Sequence, residues 1–273
     1  MCIPQAGRFV DVDVQRRLAA EIEGLGYDSI WTSDHVIVPV GEGYVPETMH
    51  EPLALLAWLA AATERVRLGV SVLVVPYRDP VFTAKFLSSL DVLARGRLVL
   101  GVGVGWLQQE FEALSASYPD RGAVTDEYLR VMRNLWETET SSFDGRWKHY
   151  TEMRMFPKAD RSRGGGTIPI VVGGNAAPSI RRAAELGDGW HPINLTPAQL
   201  RDGVAAYRDA CARFDRPVGT VVLRHMPGPD GAVLGEAECA AYADAGCDEL
   251  LYSYATRTPD ELLDVLSSSP RRT

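Results

Sequence analysis

Apolar runs alternate with amphipathic segments along the chain. The clearest example is the stretch 66–106, where apolar runs at 66–75 and 98–105 flank a segment with one apolar helical face, formed by Phe82, Phe86, Leu90 and Leu93. Strands that are apolar on both faces are typical of parallel sheets covered by helices. Asp79 before Pro80 predicts the helix start, because aspartate caps the first turn and proline is tolerated there. The stretch therefore predicts one βαβ unit.

The same alternation recurs on both sides of this unit. Further short β-runs lie at 29–31, 168–174, 188–193, 220–225 and 248–254, with helical patterns between them. If Cys2–Pro4 is a shortened first strand, the chain holds eight strands, each followed by a helix. Eight repeats in 273 residues predict an α/β fold of the (β/α)₈ TIM-barrel type. The competing doubly wound sheet usually has fewer strands and an N-terminal phosphate fingerprint, and the spacing Gly101-x-Gly103-x-Gly105 is wrong for one.

One long insertion interrupts the repeats. We expect a single domain over 1–273, with an insertion at about 107–167 after strand four. It contains a helical pattern near 125–136 and an aromatic stretch at 143–150 that we interpret as irregular. A long segment after the carboxyl end of a barrel strand usually covers or shapes a site, and the alternative is a surface excursion packed on the outside of the barrel.

Composition narrows the function classes. The net charge of −8 and the pI near 5.2 disfavour a nucleic-acid binder, which needs clustered Lys and Arg. We find no apolar run of membrane-spanning length and no signal-peptide pattern. The four cysteines include no Cys-x-x-Cys pair, so we expect neither a disulfide framework nor a metal site. These features favour a cytoplasmic protein that acts on a small molecule.

In a TIM barrel the active site lies where the strands end. Asp34 and His35 follow the second strand and, being adjacent, point to opposite faces if both continue it, so at most one enters the barrel mouth. His35 can exchange a proton near neutrality, whereas the Asp34 carboxylate is suited to accept a hydrogen bond from a ring N–H or a hydroxyl. The alternative is a purely structural histidine at the barrel rim, with its ring bonded to a backbone carbonyl.

The segment 173–178, Gly-Gly-Asn-Ala-Ala-Pro, joins an apolar strand to a helix start. Free N–H groups at a helix N-terminus form an anion site, and glycines permit close approach, so the segment suits a phosphate. It is equally typical of a tight βα turn with Asn175 as the N-cap, and the two interpretations are compatible.

Four segments together resemble the bacterial-luciferase-like flavin and deazaflavin oxidoreductases, and most of all their coenzyme F420-dependent branch. The segments are Gly-Tyr-Asp-Ser-Ile-Trp-Thr-Ser-Asp-His at 26–35, the helix and strand start at 51–69, Leu-Asp-Val-Leu-Ala-Arg-Gly-Arg-Leu-Val-Leu-Gly-Val-Gly-Val-Gly-Trp at 90–106, and Gly-Gly-Asn with Leu-Gly-Asp-Gly-Trp at 173–190. Each motif is weak alone, but their order is specific. The resemblance covers about residues 3–200.

The resemblance implies a barrel mouth that holds the cofactor ring. It implies His35 beside the hydride-transferring carbon, as proton donor or acceptor, and Asp34 at the polar edge of the ring. A non-proline cis peptide behind the ring would be Ser71–Val72 here. The ring and phosphate path would be lined by Gly103, Gly105, Trp106, Gly173, Gly174 and Asn175. The substrate side would be shaped by Trp31, Trp106, Trp190 and His191.

Two departures from the family pattern shape the hypothesis. Trp106 stands where the sugar-phosphate dehydrogenases of the branch carry a carboxylate, which favours an apolar substrate, and the first strand is short. We expect an enzyme that transfers a hydride between F420 and a small apolar organic substrate. Because members of this family are often dimers, we also expect a homodimer. The nearest alternative is an FMN-dependent monooxygenase that uses O₂. Two further alternatives are a metal-dependent hydrolase using His35, His191 and Asp34, and a non-catalytic binding protein.

Overall fold

The computed structural model describes residues 1–43, 45–160, 167–226, 233–253 and 258–269. Residues 161–166 of the predicted insertion and Tyr254, the predicted end of the last strand, lie outside these ranges. Seven parallel strands form one curved sheet in the order β1-β2-β3-β6-β7-β8-β9. They are β1 (Ser29–Thr32), β2 (Arg67–Val74), β3 (Leu98–Gly103), β6 (Ile170–Gly173), β7 (Gly189–His191), β8 (Thr220–His225) and β9 (Glu249–Tyr252).

The N-terminal residues close the sheet into a barrel. Cys2 forms parallel bridges with both Trp31 and Ser253. Its N–H donates to the carbonyl of Tyr252 at 2.7 Å, and the N–H of Ile3 donates to the carbonyl of Trp31 at 2.8 Å. Residues 1–3 therefore occupy the eighth strand position between β9 and β1. The predicted TIM barrel with a shortened first strand is confirmed.

Helices surround the barrel. They are α1 (Val12–Gly24), α2 (Pro52–Ala62), α3 (Pro80–Leu93), α4 (Gln108–Ala113), α5 (Arg121–Glu137), α6 (Ala177–Leu186), α7 (Pro197–Arg213), α8 (Glu236–Asp244) and α9 (Pro259–Ser268). Asp79 caps α3 as predicted, accepting from the N–H groups of Val81 and Phe82. On α3, however, Leu90 is buried whereas Phe82 and Leu93 are largely exposed, so the predicted apolar stripe packs inward only in part.

The segment between β3 and β6 divides into three parts. Helix α4 follows β3 at the mouth, and α5 packs against α3 in the outer layer, where the indole N–H of Trp136 donates to the carbonyl of Ala84 at 3.0 Å. The stretch interpreted as irregular is instead an antiparallel hairpin of β4 (Ser141–Asp144) and β5 (His149–Met153). Its turn is fixed because the Glu127 carboxylate accepts three backbone N–H groups, from residues 146–148.

Inward-facing side chains form layers inside the barrel. The floor is an apolar cluster of Cys2, Trp31, Val99, Val171, Val222 and Leu251. Because side chains alternate along a strand, the next inward positions lie two residues nearer the mouth. They are mostly polar or lack a side chain: Ser33, Ser71, Gly101, Gly173, His191, Arg224 and Ser253.

Two tryptophans expected to shape the substrate side are core residues. Trp31 is 0% exposed inside the barrel, where its indole N–H donates to the Ser29 hydroxyl at 2.7 Å. Trp190 is also 0% exposed, but on the outer face, with its ring beside Tyr207 of α7. Trp31 and Trp190 are therefore not pocket walls. The apolar pattern of these strands does not reveal which residue faces inward, because both faces are buried.

His191 lies in the polar layer rather than at an open pocket. Its ring stacks on Trp31 with centroids 5.6 Å apart, and only 3% of the residue is exposed. Nδ1–H donates to the carbonyl of Val222, so the unprotonated Nε2 accepts from the Ser71 hydroxyl at 2.7 Å. Burial lowers the pKa of His191 to about 4. His191 is therefore neutral and supports Ser71 from below, which corrects its expected place in the substrate pocket.

The glycines of β3 and β6 make room for the β2 backbone and for Val72. A Cβ on Gly101 would lie 2.1 Å from the carbonyl oxygen of Val70. A Cβ on Gly103 or Gly173 would lie 2.5 or 2.8 Å from the methyl groups of Val72. The Ser71–Val72 peptide is cis, as the resemblance implies, and the β2–β3 register shifts between Val70 and Leu73. Val72 thus occupies the space that the glycines leave.

Replacement of Gly101 tests this packing. Gly101→Ala should lower the free energy of unfolding by roughly 1–3 kcal/mol, because the added methyl meets backbone that cannot rotate away. The matched control is Gly24→Ala at the end of α1, where an added Cβ meets nothing within 4 Å. It should be neutral or slightly stabilising. Urea denaturation measures both, and equal effects of the two substitutions would contradict the packing.

Burial of neutral His191 predicts a pH dependence of stability. Its pKa is about 4 in the folded protein, against 6.5 for a fully solvated histidine, so the unfolded chain binds the proton first. Stability should fall as the pH drops from 6.5 towards 4, by up to about 3 kcal/mol from this group. His191→Gln should flatten that part of the profile, whereas His149→Gln on the exposed hairpin should leave it unchanged. Parallel profiles for wild type and His191→Gln in urea unfolding would refute the assignment.

Candidate active site

Three elements bring a histidine, a carboxylate and a phenol together at the barrel mouth. His35 lies three residues beyond β1, Tyr77 follows β2, and Glu110 lies in the first turn of α4. His35 Nδ1 is 3.0 Å from Glu110 Oε2, and the Tyr77 hydroxyl donates to the same oxygen at 2.9 Å. The N–H groups of Val36 and Ile37 donate to Oε1. Glu110 therefore fixes both the His35 ring and the loop that carries it.

Glu110 is an acceptor with no free oxygen. Its side chain is 0% exposed. Burial alone would raise its pKa, but hydrogen bonds from His35, the Val36 N–H and Tyr77 lower the pKa overall. Because an ionised carboxylate can only accept, His35 carries its proton on Nδ1 when neutral. Nε2 of His35 is then the ring atom that can take or return a proton at the mouth.

Tyr77 does not act as a proton donor at neutral pH. Burial and the bond to Glu110 raise the pKa of the Tyr77 phenol. Its ring packs edge-on against Phe111 with centroids 4.8 Å apart, which holds α4 against the end of β2. Tyr77 is therefore a support for Glu110.

Sequence reasoning missed Glu110, although a signal was present. Leu107, Glu110, Phe111 and Leu114 follow the spacing of one helical face. A carboxylate on an otherwise apolar face is buried and needs a partner, and a histidine at a neighbouring strand end is a suitable one. The signal was hidden because α4 has only six residues.

Asp34 is bound within the protein rather than open to a ligand. Arg78 donates to both carboxylate oxygens, at 2.7 and 2.8 Å, and the Val74 N–H donates at 2.8 Å. Burial raises the pKa of Asp34, and the Arg78 guanidinium opposes this shift. The expected contact of Asp34 with a ring edge is therefore corrected: its carboxylate connects the ends of β1 and β2. His35, its sequence neighbour, points elsewhere, as the alternation of strand side chains predicts.

One exposed apolar side chain contacts His35, and two others follow it in the chain. Trp106 is 50% exposed, and its ring lies 6.0 Å from the imidazole of His35 in an edge-to-face arrangement. Val36 and Ile37, on the loop held by Glu110, are 46% and 52% exposed. Of the three tryptophans expected to shape the substrate side, only Trp106 lies at the rim.

The turn after β6 leaves a helix N-terminus open. Asn175 is not the N-cap: its amide bonds to both the N–H and the carbonyl of Ile193, at 3.0 and 2.8 Å. The N-cap of α6 is Ala176, which has no capping side chain, and residues 175–178 are exposed. Gly174 has a φ of +115°, and Gly105, at the β3 end, has +80° with Phe111 packed against it. Pro178 has no N–H, and the N–H groups of Ser179 and Ile180 donate to the Ala176 carbonyl at 2.9 and 3.2 Å, so the Ala177 N–H is the donor that this exposed turn offers to an anion.

The structure thus gathers His35, Val72, Trp106 and the open turn of α6 at the carboxyl ends of the strands. A cavity of about 310 Å³ lined by Arg67, Arg97 and Asp188 opens at the opposite ends of the strands, far from these groups. Within the described ranges, no three His, Cys, Asp or Glu side chains are grouped as metal ligands would be. No helix of the described residues is long and apolar enough to cross a bilayer.

Comparison with known proteins identifies the family. The model of the luciferase-like monooxygenase family matches residues 4–251. An F420-dependent glucose-6-phosphate dehydrogenase of Kineococcus radiotolerans is 31% identical over 228 residues, which are 78% of this chain and 62% of that protein. An uncharacterized protein of Mycobacterium tuberculosis is 27% identical over 260 residues, covering 88% of this chain and 86% of the relative.

Solved structures show the same fold. An F420-dependent secondary alcohol dehydrogenase, solved with an F420-acetone adduct, superposes with a TM-score of 0.82 at 16% identity, covering 98% of this chain and 96% of that one. The monooxygenase RslO1 of Streptomyces bottropensis superposes with a TM-score of 0.79 at 22% identity, covering 97% and 94%. The family model spans nearly the whole barrel, and the predicted resemblance is confirmed. The chain is an oxidoreductase of the luciferase-like monooxygenase family.

Proposed function

We propose that this protein transfers a hydride between coenzyme F420 and a small apolar organic substrate, with His35 as the proton-transfer group. The observation that carries the proposal is the His35–Glu110 pair at the barrel mouth, beside the exposed face of Trp106. The relatives named as F420-dependent favour the deazaflavin over FMN.

The residues at the mouth fit a planar ring with a phosphate-bearing tail. Val72, seated on Gly103 and Gly173, offers an apolar surface for one face of the ring. The uncapped N-terminus of α6, beside Gly174, suits the phosphate. When bound, the deazaflavin supplies the carbon that accepts or gives the hydride. The protein supplies placement and proton transfer.

His35 holds or moves the proton that accompanies the hydride. Glu110 keeps Nδ1 protonated and the ring in one orientation, so Nε2 takes a hydroxyl proton or returns one to a carbonyl oxygen. Glu110 acts as a positioning residue, because its carboxylate is fully enclosed and its oxygens already accept hydrogen bonds.

The wall beside His35 favours an apolar substrate. Trp106 lies beside the imidazole, and Val36 and Ile37, which follow His35 in the chain, are about half exposed. Of these side chains only the Trp106 indole can donate a hydrogen bond, and none carries a charge to meet the phosphate of a sugar phosphate, which the named dehydrogenase relative uses. We infer that the acceptor or donor is a small alcohol or carbonyl compound with an apolar body.

We also propose that the protein is a cytoplasmic homodimer that uses the exposed part of α3. Phe82 is 70% exposed and Leu93 is 72% exposed, and Val81 and Val92 beside them are partly exposed. Such an apolar face is typical of a protein interface. The four cysteines are free, as a reducing compartment requires.

Cofactor titration tests the proposed function. Apoprotein titrated with F420 or FMN should show quenching of tryptophan fluorescence at low micromolar F420, because Trp106 lies at the mouth. FMN should bind much more weakly. Tighter binding of FMN, with O₂ consumption in the presence of reduced FMN, would instead establish the monooxygenase alternative.

Substitution of the histidine pair tests the proton-transfer role. His35→Gln should lower kcat by about 10²–10⁴-fold while F420 affinity stays within threefold, because the general acid–base group is lost. Glu110→Gln should lower kcat by on the order of tenfold, because the ring loses its orientation.

The hairpin offers a matched control. His149 Nδ1 lies 2.9 Å from Asp144 in an exposed pair of the same kind, so His149→Gln should leave kcat unchanged. Full turnover by His35→Gln would remove His35 from the mechanism, and a collapse of F420 affinity would make it a binding residue instead.

A further inference from the structure

A single arginine belongs to the polar layer under the mouth. Arg224 lies two residues beyond the floor residue Val222 on β8, so it points into the barrel. Its Nη1 donates to the carbonyl of Ser71 at 2.6 Å and lies 3.4 Å from the Ser71 hydroxyl. Its Nη2 donates to the Ser253 hydroxyl at 3.2 Å. The guanidinium therefore sits directly beside the Ser71–Val72 segment.

The positive charge of Arg224 has no counter-ion among the described residues. No carboxylate there lies within 4.0 Å of its guanidinium, and its Nε–H, although buried, has no acceptor. Other arginines at the strand ends differ: Arg67 pairs with Glu249 at 2.8 Å, and Arg78 with Asp34 at 2.7 Å. A half-buried cation without an anion is costly, which indicates that a negative charge is supplied by a ligand.

The groups around Arg224 do not neutralise it. Ser71 and Ser253 are uncharged, and His191, which supports Ser71, is neutral with a pKa of about 4. The charge of Glu249 opposes the lowering of the pKa of His191. Glu249 lies near the opposite end of the barrel interior, however, where it bonds to Arg67 and Ser29. Among the described residues, the mouth side of the layer therefore carries a net positive charge.

We propose that Arg224 is an anion-binding residue that stabilises negative charge on the pyrimidine edge of the reduced cofactor ring. A hydride carries two electrons and one proton, so its transfer to a bound ring would add one negative charge unless a second proton followed. That charge would be shared by the pyrimidine nitrogen and its neighbouring carbonyl oxygen. A guanidinium beside Ser71 and Val72 is placed to interact with such an N–C=O edge.

This inference rests on the proposed function, since it needs a ring cofactor at the mouth. Deazaflavin and flavin rings both carry the pyrimidine edge, so the role of Arg224 does not depend on which of the two binds. The proposed role of Arg224 predicts that the protein binds the reduced cofactor more tightly than the oxidised cofactor. Contacts of the cofactor with Val72 and with the α6 N-terminus would serve both redox states equally.

The test compares both redox states on one variant. Apoprotein is titrated anaerobically with oxidised and with reduced F420, and the two Kd values are measured by tryptophan fluorescence. Arg224→Gln should weaken binding of the reduced form on the order of tenfold more than binding of the oxidised form, as loss of a charge-assisted hydrogen bond would. For a two-electron couple this equals a midpoint potential lower by about 30 mV.

A matched control distinguishes the loss of the Arg224 charge from a general effect of replacing a half-buried arginine. Arg216, also half-buried, donates to the carbonyls of Glu185 and Gly187 at the opposite end of the barrel, so Arg216→Gln should leave the ratio of the two Kd values unchanged. Arg224→Lys, which keeps the charge, should retain most of the preference for the reduced form. Equal weakening of both redox states by Arg224→Gln, or no weakening, would overturn the proposal.

A measurement on the wild type keeps the proposal testable if the variant does not fold. The pyrimidine ionisation of reduced F420, followed by absorbance, should move to lower pH by about one unit on binding, because one unit is a tenfold preference for the anion. An unchanged or raised value would refute the role of Arg224. If the wild type binds FMN instead of F420, the proposed function fails, and the same measurements with FMN still decide the role of Arg224.

Discussion

The mouth of this barrel depends on the contact of Val72 with glycines of two neighbouring strands. Val72 packs its methyl groups onto Gly103 of β3 and Gly173 of β6, and Gly101 leaves space for the carbonyl of Val70. The segment is held from the other side, because Ser71 bonds to His191 and Arg224. A methyl group at Gly103 or Gly173 would displace Val72, so the glycines and Val72 form one surface. Its shape determines what can lie across the open end of the barrel.

Beneath that surface the barrel interior changes from apolar to polar within one layer. The floor around Trp31 and Val222 is apolar, whereas the next layer contains a continuous chain of hydrogen bonds from the Val222 carbonyl through His191 and Ser71 to Arg224. The carbonyl fixes the tautomer of His191, which fixes the direction of the Ser71 hydroxyl. Buried polar groups are tolerated because nearly every one among the described residues has a partner, and the exception in this layer is Nε of Arg224.

The sequence predicted the fold well because its signals are local and periodic. The apolar strands, the Asp79 cap and the eight repeats are each encoded within a few neighbouring residues. The site was less predictable because it depends on pairs of residues that lie far apart in the sequence. The separation is 75 residues for Glu110 and His35, 44 for Arg78 and Asp34, and 153 for Arg224 and Ser71. Strands that are apolar on both faces also hide which residue points inward, and Trp31 and Trp190 were misplaced for that reason.

The arrangement around Glu110 limits the chemistry that the site can perform. Four donors, from His35, Val36, Ile37 and Tyr77, converge on its two oxygens, so the carboxylate cannot also donate a proton to a substrate. Asp34 is enclosed by Arg78 and the Val74 N–H in the same way. Within the described chain the His35 imidazole, beside Trp106, is therefore the side chain to which we assign the proposed proton transfer. Interconversion of an alcohol and a carbonyl compound needs one proton with each hydride, and one histidine held by one buried carboxylate would be sufficient for the proposed reaction.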